Sequence, residues 1–276
     1  MKNLFEKITE AHGFLSAKVP DSPDVAIILG TGLGALAERI ESPMRIPYKE
    51  IPHFPVSTVE SHKGELVAGK LRGKSVIAMS GRFHYYEGYS SQEITFPVRI
   101  FDALNVKNLI ISNASGGINP HYYAGQVVAL NDHINLMPDH PLRGINDDRL
   151  GLRFPDMKHA YSRKLLQVAD RAAESMGYVL KKGVYVGFQG PSLETPSEYK
   201  FLNIIGGDLV GMSTVPEVIV AKHCEIPTLV LSLVSNMCYP IQNIKETSLE
   251  DVIEVTKNSS PVFCDLVENI ISILDD

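Results

Sequence analysis

Cysteine is scarce in this sequence, which has only Cys224, Cys238 and Cys264 among its 276 residues. None of them belongs to a C-x-x-C pair, so their spacing disfavours a zinc site or a disulfide framework and is typical of buried thiols in a reducing compartment. The first residues lack the apolar core of a signal peptide, and no run approaches the roughly 18 consecutive apolar residues that span a membrane. We therefore expect a cytoplasmic protein that has no membrane partner.

The sequence also lacks an excess of positive charge, since its formal net charge is −6. This charge argues against a nucleic-acid partner, because such proteins neutralise phosphates with lysine and arginine. A small anionic ligand is still compatible with it, since a few local donors hold an anion regardless of net charge. The 44% apolar and 21% charged residues are ordinary for a globular enzyme and exclude a disordered chain, a coiled coil and a collagen-like repeat.

Short apolar runs alternate with glycine-bearing loops and helical patterns, and no repeat or linker divides the chain. The runs predict buried strands at residues 25–29, 75–79, 109–112, 183–186 and 228–234. They are almost continuously apolar, which is expected when helices cover both faces of a sheet. We predict one α/β domain over residues 1–276.

Several helix ends are signalled by local motifs. Thr195 and Thr214 each begin a capping-box pattern with a proline in the first turn, and so predict two helix N-termini. The first of these helices is expected to end near Gly206. A last helix is expected after Ser248, with an interruption at Pro261.

The segment Gly30-Thr31-Gly32-Leu33-Gly34 runs from a predicted strand into a predicted helix. Backbone N–H groups at a helix start attract phosphate, and a small-phosphate loop is the interpretation we favour over a structural turn. The spacing also fits a dinucleotide-binding pattern, which needs an acidic residue at the end of a second strand about 20 residues later. Glu50 is near that distance, but Pro43, Pro47 and Pro52 leave no convincing strand around it.

Two further segments follow predicted strands, at the edge where α/β folds bind ligands. Arg82 and His84 lie two residues apart in an extended segment, so their side chains point the same way as hydrogen-bond donors. Residues 113–117 are small and would expose bare backbone to a phosphate or a flat ring. The alternatives are a solvated polar loop for the first segment and a plain turn for the second.

Three single residues are candidates for ligand contacts. Ser213 precedes a predicted helix N-terminus, which suits an anion. Glu194 lies beside a cap residue, where it contacts a ligand or merely complements the helix dipole. Asn236 follows the last apolar run, where it is a turn former or reads a heterocycle with its paired donor and acceptor. No metal-binding motif accompanies His133 or His140, and no G-x-S-x-G segment nominates a serine nucleophile.

Taken together, these segments closely resemble the trimeric purine nucleoside phosphorylases. The matching segments are 30–34, 61–64, 81–88, 113–117, 142–144 with 153–155, 190–195 and 211–217. They fall in the family's order and cover roughly residues 25–240. The resemblance implies a single-domain α/β fold with a mixed, partly barrel-like sheet flanked by helices, and a homotrimer. It also implies reversible phosphorolysis of purine nucleosides, with inorganic phosphate as co-substrate and no cofactor or metal.

The resemblance also implies a set of site residues. The phosphate site would comprise Thr31, His62, Arg82, His84, Ala114 and Ser213. The nucleoside site would comprise Tyr86, Gly116, Phe154, Leu193, Glu194, Val210, Met212 and Asn236. Phe154 would reach the site of a neighbouring subunit. The catalytic roles would fall to Asn236, Glu194 and His84.

The pair Glu194 and Asn236 favours 6-oxopurine nucleosides such as inosine and guanosine. An ionised glutamate accepts a hydrogen bond from the N1–H of these bases, whereas adenine presents a lone pair there. Leu249 departs from the family, many members of which have a histidine there that contacts the ribose 5′-hydroxyl. The alternatives are a 6-aminopurine or methylthioadenosine phosphorylase, a nucleosidase, an NAD-type oxidoreductase and a non-catalytic nucleoside-binding relative.

Overall fold

The computed structural model describes residues 3–56 and 63–275. Its α-helices are α1 Leu4–Ser16, α2 Ser91–Ile94, α3 Phe96–Ala103, α4 Arg163–Ser175, α5 Pro196–Ile204, α6 Val215–His223 and α7 Leu249–Ser272. Its strands are β1 Val25–Leu29, β2 Glu41–Pro47, β3 Glu65–Leu71, β4 Lys74–Ser80, β5 Leu109–Gly117, β6 Val127–Asn135, β7 Lys181–Gly187, β8 Leu209–Gly211 and β9 Thr228–Met237. No helix in the described part of the chain is both long and apolar enough to cross a membrane.

The described strands form one mixed sheet in the order β2-β3-β4-β1-β5-β8-β7-β6-β9. Because β5 also pairs with β9, the strands from β5 to β9 close into a ring. The strands β4, β1, β5 and β9 run parallel to one another, so their carboxyl ends meet at one edge of the sheet. The predicted α/β fold with a partly barrel-like sheet is therefore confirmed.

All five predicted strands are present, and four of them, β4, β5, β7 and β9, extend further than the apolar pattern indicated. The predicted loop at residues 113–117 is wrong, because the pairing of β5 with β9 continues to Gly117 and Met237. Asn236 likewise lies within β9 and is opposite Gly116. A register shift follows Ser115. The small and polar residues beyond this shift are held by backbone pairing, which hydrophobic periodicity does not detect.

A strand also occupies the proline-containing segment in which none was expected. Strand β2 includes both Pro43 and Pro47. Among the described strands it lies at the edge of the sheet, where a missing N–H is tolerated, and its pairing with β3 is irregular near Glu41. Glu50 lies in a short 3₁₀ turn after β2 and does not end a strand, so the dinucleotide-binding interpretation is not supported.

The helix predictions were partly correct. Thr195 caps α5 in a capping box, and α5 ends just before Gly206, whose φ of +95° favours glycine. Thr214 precedes α6 but makes no side-chain cap, so the second predicted capping box is wrong. Its hydroxyl instead accepts a hydrogen bond from Asn113 Nδ2 at 2.9 Å.

Two more helix predictions need correction. Helix α7 continues through Pro261 without the expected interruption. The buried side chains of Ser260 and Phe263 pack this part of α7 against the core, which offsets the hydrogen bond that proline removes. The glycine-rich turn after β1 leads into a short 3₁₀ helix, Gly34–Arg39, and not into an α-helix.

The first glycine of this turn lets two strands approach closely. A Cβ at Gly30 would lie 2.8 Å from Ser112 O and 2.9 Å from Asn113 Cα, and neither backbone atom can move aside easily. Gly30→Ala is therefore expected to lower the free energy of unfolding by about 2 kcal/mol, as measured by urea denaturation. Gly34→Ala is the matched control, because the nearest atom to its Cβ would be Ser80 Oγ at 3.9 Å. Equal stabilities of the two variants would contradict this packing argument.

Candidate active site

A cavity of about 770 Å³, open to solvent, lies at the edge where the carboxyl ends of β1, β4, β5 and β9 meet. Most of the residues predicted from the sequence line it together. They are Thr31, Arg82, His84, Tyr86, Ala114, Gly116, Leu193, Glu194, Val210, Met212, Ser213 and Asn236. The fold thus brings together segments as far apart in the chain as Thr31 and Asn236.

Two predicted site residues do not belong to this set. His62 lies outside the described residues. Phe154 does not line the cavity, and 85% of its surface is exposed. Its expected contact with the site of a neighbouring subunit stays a prediction.

One end of the cavity carries a buried arginine that a carboxylate holds in place. Arg82 is 2% exposed and donates from Nε to Glu217 Oε1 at 3.0 Å. Its Nη2 donates to the same oxygen, and its Nη1 donates to Ser112 O at 2.8 Å. Glu217 comes from the first turn of α6, where the sequence pattern suggested a capping role. A buried guanidinium needs a charged partner, and this need is the signal that could have identified Glu217.

His84 is held by a second carboxylate at the same end of the cavity. Its backbone N–H and its Nδ1 each lie 2.9 Å from Glu87 Oε1, and its ring stacks on Tyr86 at 4.7 Å. Burial lowers the pKa of His84, and the hydrogen bond with Glu87 offsets part of this effect. Neutral His84 therefore donates from Nδ1 to Glu87, which makes Nε2 the acceptor nitrogen of the ring.

The start of α6 completes this end of the cavity. Ser213 is buried and precedes Thr214, the N-cap residue of α6. Ala114 from within β5 and Thr31 just after β1 bring backbone to the same cavity. A helix N-terminus, a fixed guanidinium and exposed backbone are together suited to an oxyanion such as phosphate.

The other end of the cavity carries a carboxylate and an amide. Glu194 is 9% exposed, and its Oε1 makes no hydrogen bond with the described residues. Burial raises the pKa of Glu194 above its usual value. Asn236 accepts at Oδ1 from the Ser235 hydroxyl at 2.7 Å and donates from Nδ2 to Cys238 Sγ at 3.2 Å. An acceptor and an amide in a partly apolar cavity can orient a planar heterocycle.

The remaining walls of the cavity are mostly apolar. Met212 and Tyr86 lie along it, and burial raises the pKa of Tyr86 to about 12, so its phenol stays neutral. Leu249 and Val252 reach the cavity from the first turn of α7. Leu249 therefore faces this cavity with an apolar side chain, where the family resemblance led us to look for a histidine.

Tyr199 also lines the cavity but was not predicted from the sequence. It lies within the first turn of α5, where no motif distinguishes it from an ordinary core residue. Its place in the site arises because α5 packs near the segment after β9, where Tyr199 and Cys238 share an apolar cluster.

Known proteins resemble this chain both in fold and in sequence over most of its length. Residues 24–272 match a model of the Phosphorylase superfamily. The chain is 49% identical over 264 residues to purine nucleoside phosphorylase 1 of Geobacillus stearothermophilus, covering 96% of each protein. A Schistosoma purine nucleoside phosphorylase in complex with hypoxanthine superposes with a TM-score of 0.94 at 36% identity, covering 100% of both chains. The Schistosoma mansoni purine nucleoside phosphorylase in complex with adenosine superposes with a TM-score of 0.93 at 37% identity, covering 98% of both chains.

The fold and the cavity are thus those of an enzyme of the phosphorylase superfamily. Within that superfamily, the chain belongs to the purine nucleoside phosphorylases.

Proposed function

We propose that this enzyme catalyses the reversible phosphorolysis of 6-oxopurine ribonucleosides and deoxyribonucleosides. Inosine or guanosine reacts with inorganic phosphate to give the free base and ribose 1-phosphate, and no cofactor takes part. The observation that carries this proposal is one cavity with an oxyanion end at Arg82 and Ser213 and a heterocycle end at Glu194 and Asn236.

Phosphate binds at the oxyanion end in this proposal. Arg82 is held in a fixed orientation by Glu217, so little side-chain entropy is lost when its guanidinium contacts phosphate. Ser213 and the start of α6 add donors, and Thr31, Ala114 and His62 complete the set. Neutral His84 contacts the phosphate with Nε2, which accepts a hydrogen bond from a protonated phosphate oxygen.

The reaction separates charge between the two ends of the cavity. The bond between C1′ and N9 breaks, its electron pair moves to the purine, and a phosphate oxygen forms the new bond to C1′. The purine takes up one proton from solvent to become the free base, and the phosphate releases one to solvent. Positive charge that develops on the ribose is stabilised by the phosphate next to it, so no covalent enzyme intermediate is needed. Asn236 donates toward N7 of the purine, where negative charge grows, and this contact is stronger in the transition state than in the substrate.

Glu194 provides the base preference in this proposal. Its ionised carboxylate accepts from N1–H of hypoxanthine or guanine but faces the N1 lone pair of adenine. A buried polar group left unpaired in this way discriminates by about 10⁴-fold. A Schistosoma mansoni relative has been solved in complex with adenosine, so cleavage of a 6-aminopurine nucleoside is the alternative that the experiment must test.

We also propose a homotrimer in which the exposed Phe154 of one subunit reaches the nucleoside end of the next. The three cysteines are free thiols, which supports a cytoplasmic location.

The proposal is tested by incubating the enzyme with inosine, guanosine or adenosine, with and without inorganic phosphate. Free base and ribose 1-phosphate are then quantified. We expect phosphate-dependent cleavage of inosine and guanosine, with adenosine slower by about 10⁴-fold. Comparable cleavage of adenosine would contradict the base preference and leave the phosphorolysis intact. Cleavage that needs no phosphate would contradict the reaction itself.

A further inference from the structure

The backbone is strained at Thr214, which lies between Ser213 and the first residue of α6. Thr214 has a φ of +73° and a ψ of −53°, and the Val215 N–H donates to Ser213 O at 2.8 Å. These features define a γ-turn of the form with positive φ, which is rare and strained. A β-branched side chain adds to the strain, because its Cβ crowds the backbone at positive φ. The turn therefore persists only if its surroundings hold it in place.

A buried asparagine supplies this restraint. Asn113 lies in β5, is 2% exposed, and donates from Nδ2 to Thr214 Oγ1 at 2.9 Å. Its Oδ1 accepts from the Ser232 hydroxyl at 2.6 Å, and Ser232 Oγ lies 2.6 Å from Ser115 Oγ. Asn113 and Ser232 are also opposite each other in the pairing of β5 with β9. The amide that holds the turn is thus itself fixed by the sheet.

The same contacts orient the hydroxyl of Ser213. Thr214 is fully buried, so the proton of its own hydroxyl needs an acceptor. Asn113 Nδ2 is a donor, and the other side-chain partner of Thr214 Oγ1 among the described residues is Ser213 Oγ at 3.1 Å. Thr214 therefore donates to Ser213 Oγ, which leaves the proton of Ser213 for a group in the cavity. A serine hydroxyl oriented in this way can donate to a phosphate oxygen.

We propose that Asn113 is a positioning residue for phosphate, because it holds Thr214 in the strained turn that presents Ser213 to the oxyanion end of the cavity. This inference rests on the proposed binding of phosphate at that end. Without the amide, the turn relaxes toward negative φ, and the Ser213 hydroxyl turns away from the cavity. The heterocycle end at Glu194 and Asn236 makes no contact with this turn, so its affinity for a purine base does not depend on Asn113.

The first test is Asn113→Ala, with affinities measured by calorimetric titration. Loss of the restraint is expected to raise the Kd for inorganic phosphate about tenfold, and to leave the Kd for hypoxanthine unchanged. Asn119→Ala is the matched control. Asn119 lies just after β5 and donates from Nδ2 to Asp208 Oδ1 at 2.8 Å, but it does not line the cavity, so its loss is expected to leave both Kd values unchanged. Equal Kd values for phosphate in wild type and Asn113→Ala would overturn the inference.

Variants of Thr214 separate positioning from a direct contact between Asn113, which also lines the cavity, and phosphate. Glycine adopts positive φ without a Cβ penalty, so the turn in Thr214→Gly needs no restraint. Thr214→Ala removes the same hydroxyl but keeps the Cβ, and is expected to raise the Kd for phosphate more than Thr214→Gly does. When Thr214→Gly is already present, adding Asn113→Ala is expected to change this Kd by less than about twofold. A full tenfold loss there as well would mean a direct contact and would overturn the inference.

Urea denaturation tests the strain itself, without any ligand. Glycine ordinarily makes a loop less stable than alanine does, because it increases the freedom of the unfolded chain. At position 214 we expect the reverse, a higher urea midpoint for Thr214→Gly than for Thr214→Ala, and the ordinary order would overturn the inference. The titrations with phosphate use no nucleoside. Absence of phosphate-dependent inosine cleavage by the wild type would therefore contradict the proposed function, while the titrations and the urea midpoints would still decide the role of Asn113.

Discussion

Asn236→Ala is expected to lower kcat/KM for inosine by a factor of about 100 to 1000, because it removes a donor to the purine as negative charge develops there. Phosphate binds at the other end of the cavity, so its affinity for the free enzyme is expected to stay the same. Steady-state kinetics and calorimetric titration with phosphate measure the two effects separately. The effects on turnover and on phosphate affinity differ because the purine and the phosphate bind at opposite ends of the cavity.

Asn243→Ala is the matched control for this variant. Asn243 is exposed, lies at the end of a short 3₁₀ turn, and does not line the cavity. Its loss is expected to leave both kcat/KM and phosphate affinity unchanged. Equal losses of turnover and phosphate affinity in Asn236→Ala would remove Asn236 from its proposed role at the leaving group.

Glu217→Ala is expected to lower the free energy of unfolding by about 3 to 5 kcal/mol, because it leaves the guanidinium of Arg82 buried without its counter-charge. Both members of the pair are almost fully buried, at 2% exposure each. Urea denaturation measures the change. Glu174→Ala, at an exposed position of α4, is the control and is expected to have little effect.

A double variant distinguishes the charge pair from simple packing. Replacing both members by methionine, as Arg82→Met with Glu217→Met, removes the unpaired charge and is expected to be more stable than Glu217→Ala alone. It is also expected to lose phosphate binding, since Arg82 is absent. A double variant that is less stable than Glu217→Ala would show that the pair contributes mainly through its shape.

Much of the candidate site could be identified from short segments of sequence. Arg82, Ala114 and Asn236 each follow an apolar run, and the carboxyl ends of parallel strands converge at one edge of a sheet. The resemblance to the phosphorylase family then supplied roles for them, and the cavity contains them together. The counter-ion of Arg82 and one further residue that lines the cavity were not identified. Glu217 and Tyr199 lie in helices where their spacing is that of ordinary cap or core residues.

The errors in the sequence predictions have a common physical cause. Thr214 has the residue pattern of a capping box, but Asn113 from β5 competes for its hydroxyl and Arg82 competes for Glu217. Pro261 lies inside a continuous helix because the residues around it pack against the core. In each case a contact distant in sequence outweighed a local preference worth about 1 to 3 kcal/mol.

The sequence by itself determined the alternation of strands and helices, the buried strands of the sheet and the set of polar residues at its edge, since these follow from apolar periodicity and local motifs. Only the tertiary structure decided the closed ring of β5 to β9, the Arg82–Glu217 pair and the hydrogen bond from Asn236 to Cys238. Burial is the physical reason. A charge or an amide removed from water must find its partner in whichever segment packs against it, and no local pattern specifies that segment.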